Sequence, residues 1–153
     1  MSLDVDVATV NVRAPLARHA VADIARGALR AEGVRDALVS VTFVDPSTIA
    51  RLNKRHLGHS GTTDVISFQF ERVKRSDPVI ADLYICPVVA RRNAAERDTA
   101  AREEIARLVI HGVLHALGHD HPEDGRRESS PMWRRQEQLV RRWMRRAAAG
   151  RAP

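Results

Sequence analysis

The stretch from Ile105 to His121 constrains this chain more than any other. Ile105, Leu108 and Val109, then Val113, Leu114 and Leu117, recur at the spacing of a helix with a buried face. The same stretch reads His111-Gly-Val-Leu-His115-Ala-Leu-Gly118-His119-Asp120-His121 and holds four of the chain's seven histidines. On a helix, residues i and i+4 stack on one face about 6 Å apart, so His111 and His115 can ligate one metal ion. Gly118 supplies a left-handed helix stop, which turns the chain so that a third ligand arrives from another direction.

His119 and His121 compete for that third place. In a continuing helix His119 would lie roughly 80° round from His111 and about 12 Å along the axis, too far to share an ion. A helix that ends at Gly118 therefore selects His121, giving the predicted metal ligands His111, His115 and His121. Three neutral imidazoles leave a tetrahedral zinc ion one open position for water, the arrangement of catalytic rather than structural sites. One Zn²⁺ per chain is the expected cofactor, since imidazole suits that ion. The spacing H-x3-H-x5-H also matches the metzincin peptidases, H-E-x-x-H-x-x-G-x-x-H. Their glutamate, which takes a proton from metal-bound water, is replaced here by Gly112.

The rest of the chain supplies a setting for this helix. Alternating apolar residues predict a strand over 3–12, and Pro15 with the helical spacing of Leu16 to Leu29 predicts a helix that stops at Gly33. Strands follow over 37–44, from Val65 to Phe70 and over 79–86, and Asp45-Pro46-Ser47 caps a short helix. Helices are predicted from Pro87 to about Asp98, from Thr99 through Leu117 and from Pro131 to about Ala148, the last after a connector over 122–130. Strands crowd the first half and helices the second. The expected class is α+β: a small mixed sheet of about four strands packed with helices, with the zinc site at the end of a central helix. Its 153 residues suit one domain over 1–148, with a frayed tail at 149–153.

Composition narrows the cellular setting. The start has no basic segment of a signal peptide, and no apolar run reaches the ~18 residues of a membrane span. A lone cysteine, Cys86, rules out an intramolecular disulfide and suits a reducing compartment, so the cytoplasm is expected and a membrane partner is not. The formal charge of +6 favours polyanions such as nucleic acid. Because Lys54 and Lys74 are the only lysines, the arginine excess is equally compatible with a codon bias.

The histidine segment resembles the H-G-x-L-H-x-x-G-[YH]-D-H signature of the YbeY family, the bacterial rRNA-maturation endoribonucleases. Three further blocks agree in order. Leu52-Asn53 followed by Thr63-Asp64-Val65-Ile66-Ser67-Phe68 is similar to L-N…T-D-V-[LI]-S-F. Ala81-Asp82-Leu83-Tyr84-Ile85-Cys86 is similar to G-D-I-x-I-[SC], and Met132 and Glu137 fall where the last helix carries M and E. The resemblance implies a metal-dependent hydrolase of single-stranded RNA. It would act in ribosomal RNA processing, notably at the 16S rRNA 3′ end, and in ribosome quality control, with the ribosome as partner. It also implies the ligands His111, His115 and His121. The family's L-N-x-x-Y-R pattern departs here, with His56 in the tyrosine's place and Leu57 in the arginine's. Arg51 and Arg55, one helical turn away, are the candidates to contact RNA phosphate in its stead.

Catalytic side chains beyond the metal are not specified, and Arg55 and Asp120 are the candidates. Asp120 and Asp64 are alternatively expected to hold an imidazole or a turn. The arginine pairs of the last helix, at 134–135, 141–142 and 145–146, are expected on the solvent side of an amphipathic helix. Two rivals to the nuclease are a ribosome-associated assembly factor with little catalysis and a metzincin-like metallopeptidase.

Overall fold

The structure, a computed structural model, describes residues 1–121 and 126–150. Four strands form one sheet: β1 (Leu3–Val10), β2 (Ala37–Val44), β3 (Val65–Phe70) and β4 (Val79–Ile85). Their spatial order is β1-β2-β4-β3; β1/β2 and β2/β4 are parallel and β3/β4 is antiparallel. The parallel crossovers use α1 (Arg18–Ala31), then α2 (Pro46–Leu52) together with β3. Three helices follow: α3 (Pro87–Arg97), α4 (Ala101–Ala116) and α5 (Pro131–Gly150). The α+β class and four-stranded mixed sheet expected from the periodicities are therefore found.

Burial follows the patterns that placed these elements. In β1 every second residue turns inward, as a half-buried edge strand requires. The apolar stripe of α1 (Val21, Ile24, Ala25, Ala28, Leu29) enters the main core. That core lies between the sheet, α1, α4 and α5, and a smaller cluster of Val44, Ile49, Ile66 and Cys86 lies beneath α2. Helix α4 is the hub: Glu104 to Leu114 is buried without interruption. It packs on α1, α3, α5, β3 and β4. A helix buried all round needs apolar residues on every face, which explains its run of Ile105 to Leu114.

The boundaries differ from expectation at a few points. Strand β1 stops at Val10 because Asn11 turns into the left-handed region at φ 57°, and α1 begins at Arg18 rather than Pro15. Cys86 is the residue that caps α3, not the end of β4. Asp45 caps α2 as expected, accepting from the Thr48 N–H at 3.2 Å. After α2 the chain continues as a π-helical turn, Asn53–Leu57, closed by Gly58 at φ 71°. Helix α5 runs to Gly150, two residues past its expected end. Of the expected connector, Pro122 to Gly125 lie outside the described residues, and Arg127–Ser129 forms a 3₁₀ turn.

Candidate metal centre

Helix α4 presents His111 and His115 at its C-terminal end, their ring centroids 4.6 Å apart. The helix then closes in a Schellman motif: the Gly118 N–H donates to the His115 carbonyl and the His119 N–H to the Leu114 carbonyl, each at 3.0 Å. That closure needs a left-handed residue, and Gly118 sits at φ 95°. The reversal brings the His121 ring to 5.2 Å from His111 and 4.9 Å from His115. One ring nitrogen from each of the three lies within 4.8 Å of the others. His119 is carried the other way, its Nε2 against Glu32 at the C-cap of α1, whose second oxygen accepts from Arg135 Nε of α5 at 3.0 Å. The structure thus groups the three histidines singled out by spacing and leaves the competitor outside.

The donor set suits a divalent ion. His111 Nδ1 donates to Gln136 Oε1 at 2.6 Å, and the Gln136 amide donates from Nε2 to Glu137 Oε2 at 3.0 Å. That second bond fixes which end of the amide faces the imidazole, so His111 carries its proton on Nδ1 and aims the Nε2 lone pair into the pocket. Burial pushes the His111 pKa down to about 3, only partly opposed by Gln136. Burial, reinforced by the nearby His121, lowers that of His115. Both rings are therefore neutral at pH 7, as ligation demands. At tetrahedral Zn–N distances the ligand atoms would stand about 3.4 Å apart, within reach of small side-chain rotations.

A buried ionic network fixes the two helices that make this bond. Arg107, one turn before His111, donates to both Glu137 oxygens at 2.9 Å and to Glu104 at 2.8 Å. Burial works against the Arg107 cation, but the bonds to Glu137 and Glu104 outweigh it and keep it charged. Burial likewise raises the Glu137 carboxyl, and the bonds from Arg107 and Gln136 more than reverse this. With Glu137 locked to α4, the neighbouring Gln136 stands opposite His111.

The three rings open into a cavity of about 340 Å³ walled by Thr63, Asp64 and Ser67 before and within β3, by Leu57, and by Arg127. Ser67 donates to the Gly112 carbonyl at 3.3 Å, tying β3 to α4 beside His111. Gly112 meets β4 so closely that an added Cβ would lie 2.8 Å from a Leu83 methyl carbon. A side chain at this position, such as the glutamate of the metzincin motif, would crowd Leu83, so the packing here suits glycine and disfavours the peptidase reading.

The other candidates fall differently. Arg51 and Arg55 are exposed and neither lines the cavity; Arg51 donates to Thr48 Oγ1 at 3.3 Å. The π-helical turn delivers Leu57 rather than Arg55 to the cavity wall. Asp120 accepts from the His121 N–H at 2.9 Å and shapes the turn. Asp64 reaches the cavity wall, but its oxygens accept from Val65 N–H at 2.8 Å and Asn93 Nδ2 at 3.1 Å. Sequence reasoning missed Gln136 and Arg127. Gln136 was detectable as the one polar residue on the apolar stripe Met132, Gln136, Leu139, Val140. Arg127, in a connector, carried no such signal.

An α+β domain with a three-histidine centre at the mouth of its central helix defines a candidate metal-dependent hydrolase. A family model described as Endoribonuclease YbeY matches residues 4–144. The chain belongs to this family. Among curated relatives named Endoribonuclease YbeY, that of Bifidobacterium animalis subsp. lactis is 39% identical over 108 residues, covering 67% of this chain and 59% of the relative. That of Cutibacterium acnes is 35% identical over 69% of this chain and 71% of its own. The Thermobifida fusca relative is 35% identical over 94% of this chain and 96% of its own. The solution structure of TM1509 from Thermotoga maritima shares the fold, with a TM-score of 0.63 at 21% identity over 96% of this chain and 93% of that one.

Proposed function

We propose that this chain is a zinc-dependent endoribonuclease that cuts single-stranded RNA, acting in the cytoplasm on ribosomal RNA precursors and on the ribosome. The observation that carries the reading is the convergence of His111, His115 and His121 on one centre at the floor of a 340 Å³ cavity, in a chain of the YbeY family. Processing of the 16S rRNA 3′ end and ribosome quality control are the roles that membership supports. No helix among the described residues is long and apolar enough to cross a membrane.

The chain's own residues divide the work. His111 and His115, held neutral by burial, and His121 would hold the ion. Zinc held there would supply a Lewis acid for a phosphoryl oxygen and would lower the pKa of water toward neutral. Gln136 holds the His111 tautomer, and Ser67 fixes the backbone beside it. Leu57 puts an apolar side chain where the family pattern has arginine, and on that observation an assembly factor with little turnover is the second reading.

The test pairs zinc-loaded protein with end-labelled single-stranded RNA, the matching duplex and casein. Cleavage of the single strand alone is expected. It should stop with a chelator, return with zinc, and be absent from a His111→Ala, His115→Ala variant. Cleavage that survives both treatments refutes the reading. RNA binding without turnover by zinc-loaded protein favours the assembly factor instead.

A further inference from the structure

We propose that Arg127 is the phosphate clamp of this centre: the guanidinium that binds an anion seated on the ion of His111, His115 and His121. The inference rests on the metal-centre reading above and adds a substrate-contacting residue to it.

The backbone of Arg127 is held in place. Its carbonyl accepts from Ser130 Oγ at 2.7 Å and Ser130 N–H at 3.2 Å, while the same hydroxyl accepts from the Trp133 N–H at 3.2 Å as α5 begins. From that anchor the side chain reaches back over the centre. Its Nη2 donates to His111 Nε2 at 3.4 Å, the nitrogen that Gln136 leaves with its lone pair toward the cavity. Arg127 therefore forms part of the cavity wall and occupies the lone pair an ion would take, so ion binding would release the guanidinium from Nε2 into the cavity.

Among the described residues no carboxylate pairs with Arg127. Glu128 lies 3.6 Å from Arg97, Glu137 and Glu104 serve Arg107, and Asp64 serves Asn93. A guanidinium next to three imidazoles opposes a dication, so it weakens metal binding when the cavity holds only water. Once an anion joins the ion, the sign reverses, since the anion lies between two positive centres. Arginine suits phosphate because its planar fork can donate two parallel bonds to two oxygens. Among the described residues of the neighbouring wall, Leu57, Thr63 and Ser67 are neutral and offer no competing cation.

The position also separates this role from a structural one. A side chain that merely braced the centre would cost both fold stability and metal affinity when removed. A clamp costs anion affinity alone, and its loss leaves metal affinity unchanged or higher.

The experiment uses cobalt(II) in place of zinc, so that the visible spectrum reports an anion joining the ion, and titrates inorganic phosphate. Wild type is compared with Arg127→Ala and Arg127→Lys, with metal affinity and thermal melting measured on the same samples. Arg127→Ala should weaken phosphate binding by about tenfold to a hundredfold, the loss of charge-assisted hydrogen bonds. Arg127→Lys should fall between, and cobalt affinity should hold or rise. With single-stranded RNA the alanine variant should lose activity and show a binding salt slope lower by about one ion. Equal phosphate affinity in wild type and Arg127→Ala overturns the clamp, as does a parallel fall in cobalt affinity. A wild-type protein that takes up no metal overturns both inferences. One that binds metal and phosphate through Arg127 yet leaves RNA intact refutes the nuclease alone.

Discussion

Replacing Gln136 with leucine removes one acceptor from a nearly closed space and leaves the volume almost unchanged. Gln136 is 1% exposed and His111 6%, so water cannot replace the lost amide oxygen without entering the core. The stranded His111 Nδ1, with or without its proton, should cost about 1–3 kcal/mol, the usual penalty for a buried polar atom without a partner. Glu137 loses its bond from Gln136 but keeps both from Arg107, so this part should cost only about 0.5–1.5 kcal/mol. The metal-free protein should therefore lose roughly 1.5–4.5 kcal/mol, a large part of the ~5–15 kcal/mol that holds a domain. Zinc affinity should fall by about 10- to 100-fold, because the His111 proton is no longer pinned to Nδ1. Urea unfolding of metal-free protein measures the first quantity, and competition with a chromophoric chelator the second. Gln136→Glu preserves an acceptor and should bind zinc at least as well as the leucine variant. Gln138→Leu, at an exposed position of the same helix, should change neither quantity. A folded Gln136→Leu protein with zinc affinity within about threefold of wild type would refute the reasoning.

Three other perturbations address the scaffold of the centre. Gly112→Ala gains about 1 kcal/mol of helix propensity but crowds Leu83, at a cost of about 1–3 kcal/mol, so its melting temperature should fall; Leu83→Val should recover part of the loss. A Gly112→Ala protein that melts above wild type contradicts this. Gly118→Ala forces a Cβ into the left-handed region at φ 95° and should cost about 1–2 kcal/mol, with zinc affinity falling as His121 shifts. Unchanged unfolding and zinc titrations would count against the helix stop. The third test concerns pH and metal-free protein. His111 titrates near 6.5 when unfolded and at about 3 when folded, so the unfolded chain binds more protons between those values. Stability is complete above about pH 6.5 and falls as pH drops toward 3, with His111 contributing a slope of up to about 1.4 kcal/mol per pH unit. The urea midpoint of His111→Asn should show a shallower acid slope than wild type; an identical slope in the two proteins would be inconsistent with a buried neutral imidazole.

The elements were legible because each carries a local pattern: two-residue alternation in β1, a stripe in α1, and apolar residues around α4. The histidine grouping was legible for a related reason, since helix pitch and one glycine fix the relation of residues 111, 115 and 121 within a single segment. What escaped is non-local or non-periodic. The strand order β1-β2-β4-β3 depends on pairings such as Val41 with Leu83, which no window of sequence contains. The bond from His111 to Gln136 depends on how α5 crosses α4, set by Arg107 and Glu137 thirty residues apart. Arg51 and Arg55 were candidates as neighbours of position 57, where the family pattern has arginine, and sequence alone did not show that a π-helical turn would bring Leu57 to the cavity wall.

All three imidazoles fall between positions 111 and 121, on one helix end and the turn that follows it. A cation gripped there cross-links almost nothing, since the loop it closes is already short and the entropy removed from the unfolded chain is correspondingly small. The sheet, whose partners lie tens of residues apart, would assemble with or without it. The ion is thus a removable tool rather than a rivet, and the emptied protein should keep its shape and accept a fresh ion without refolding.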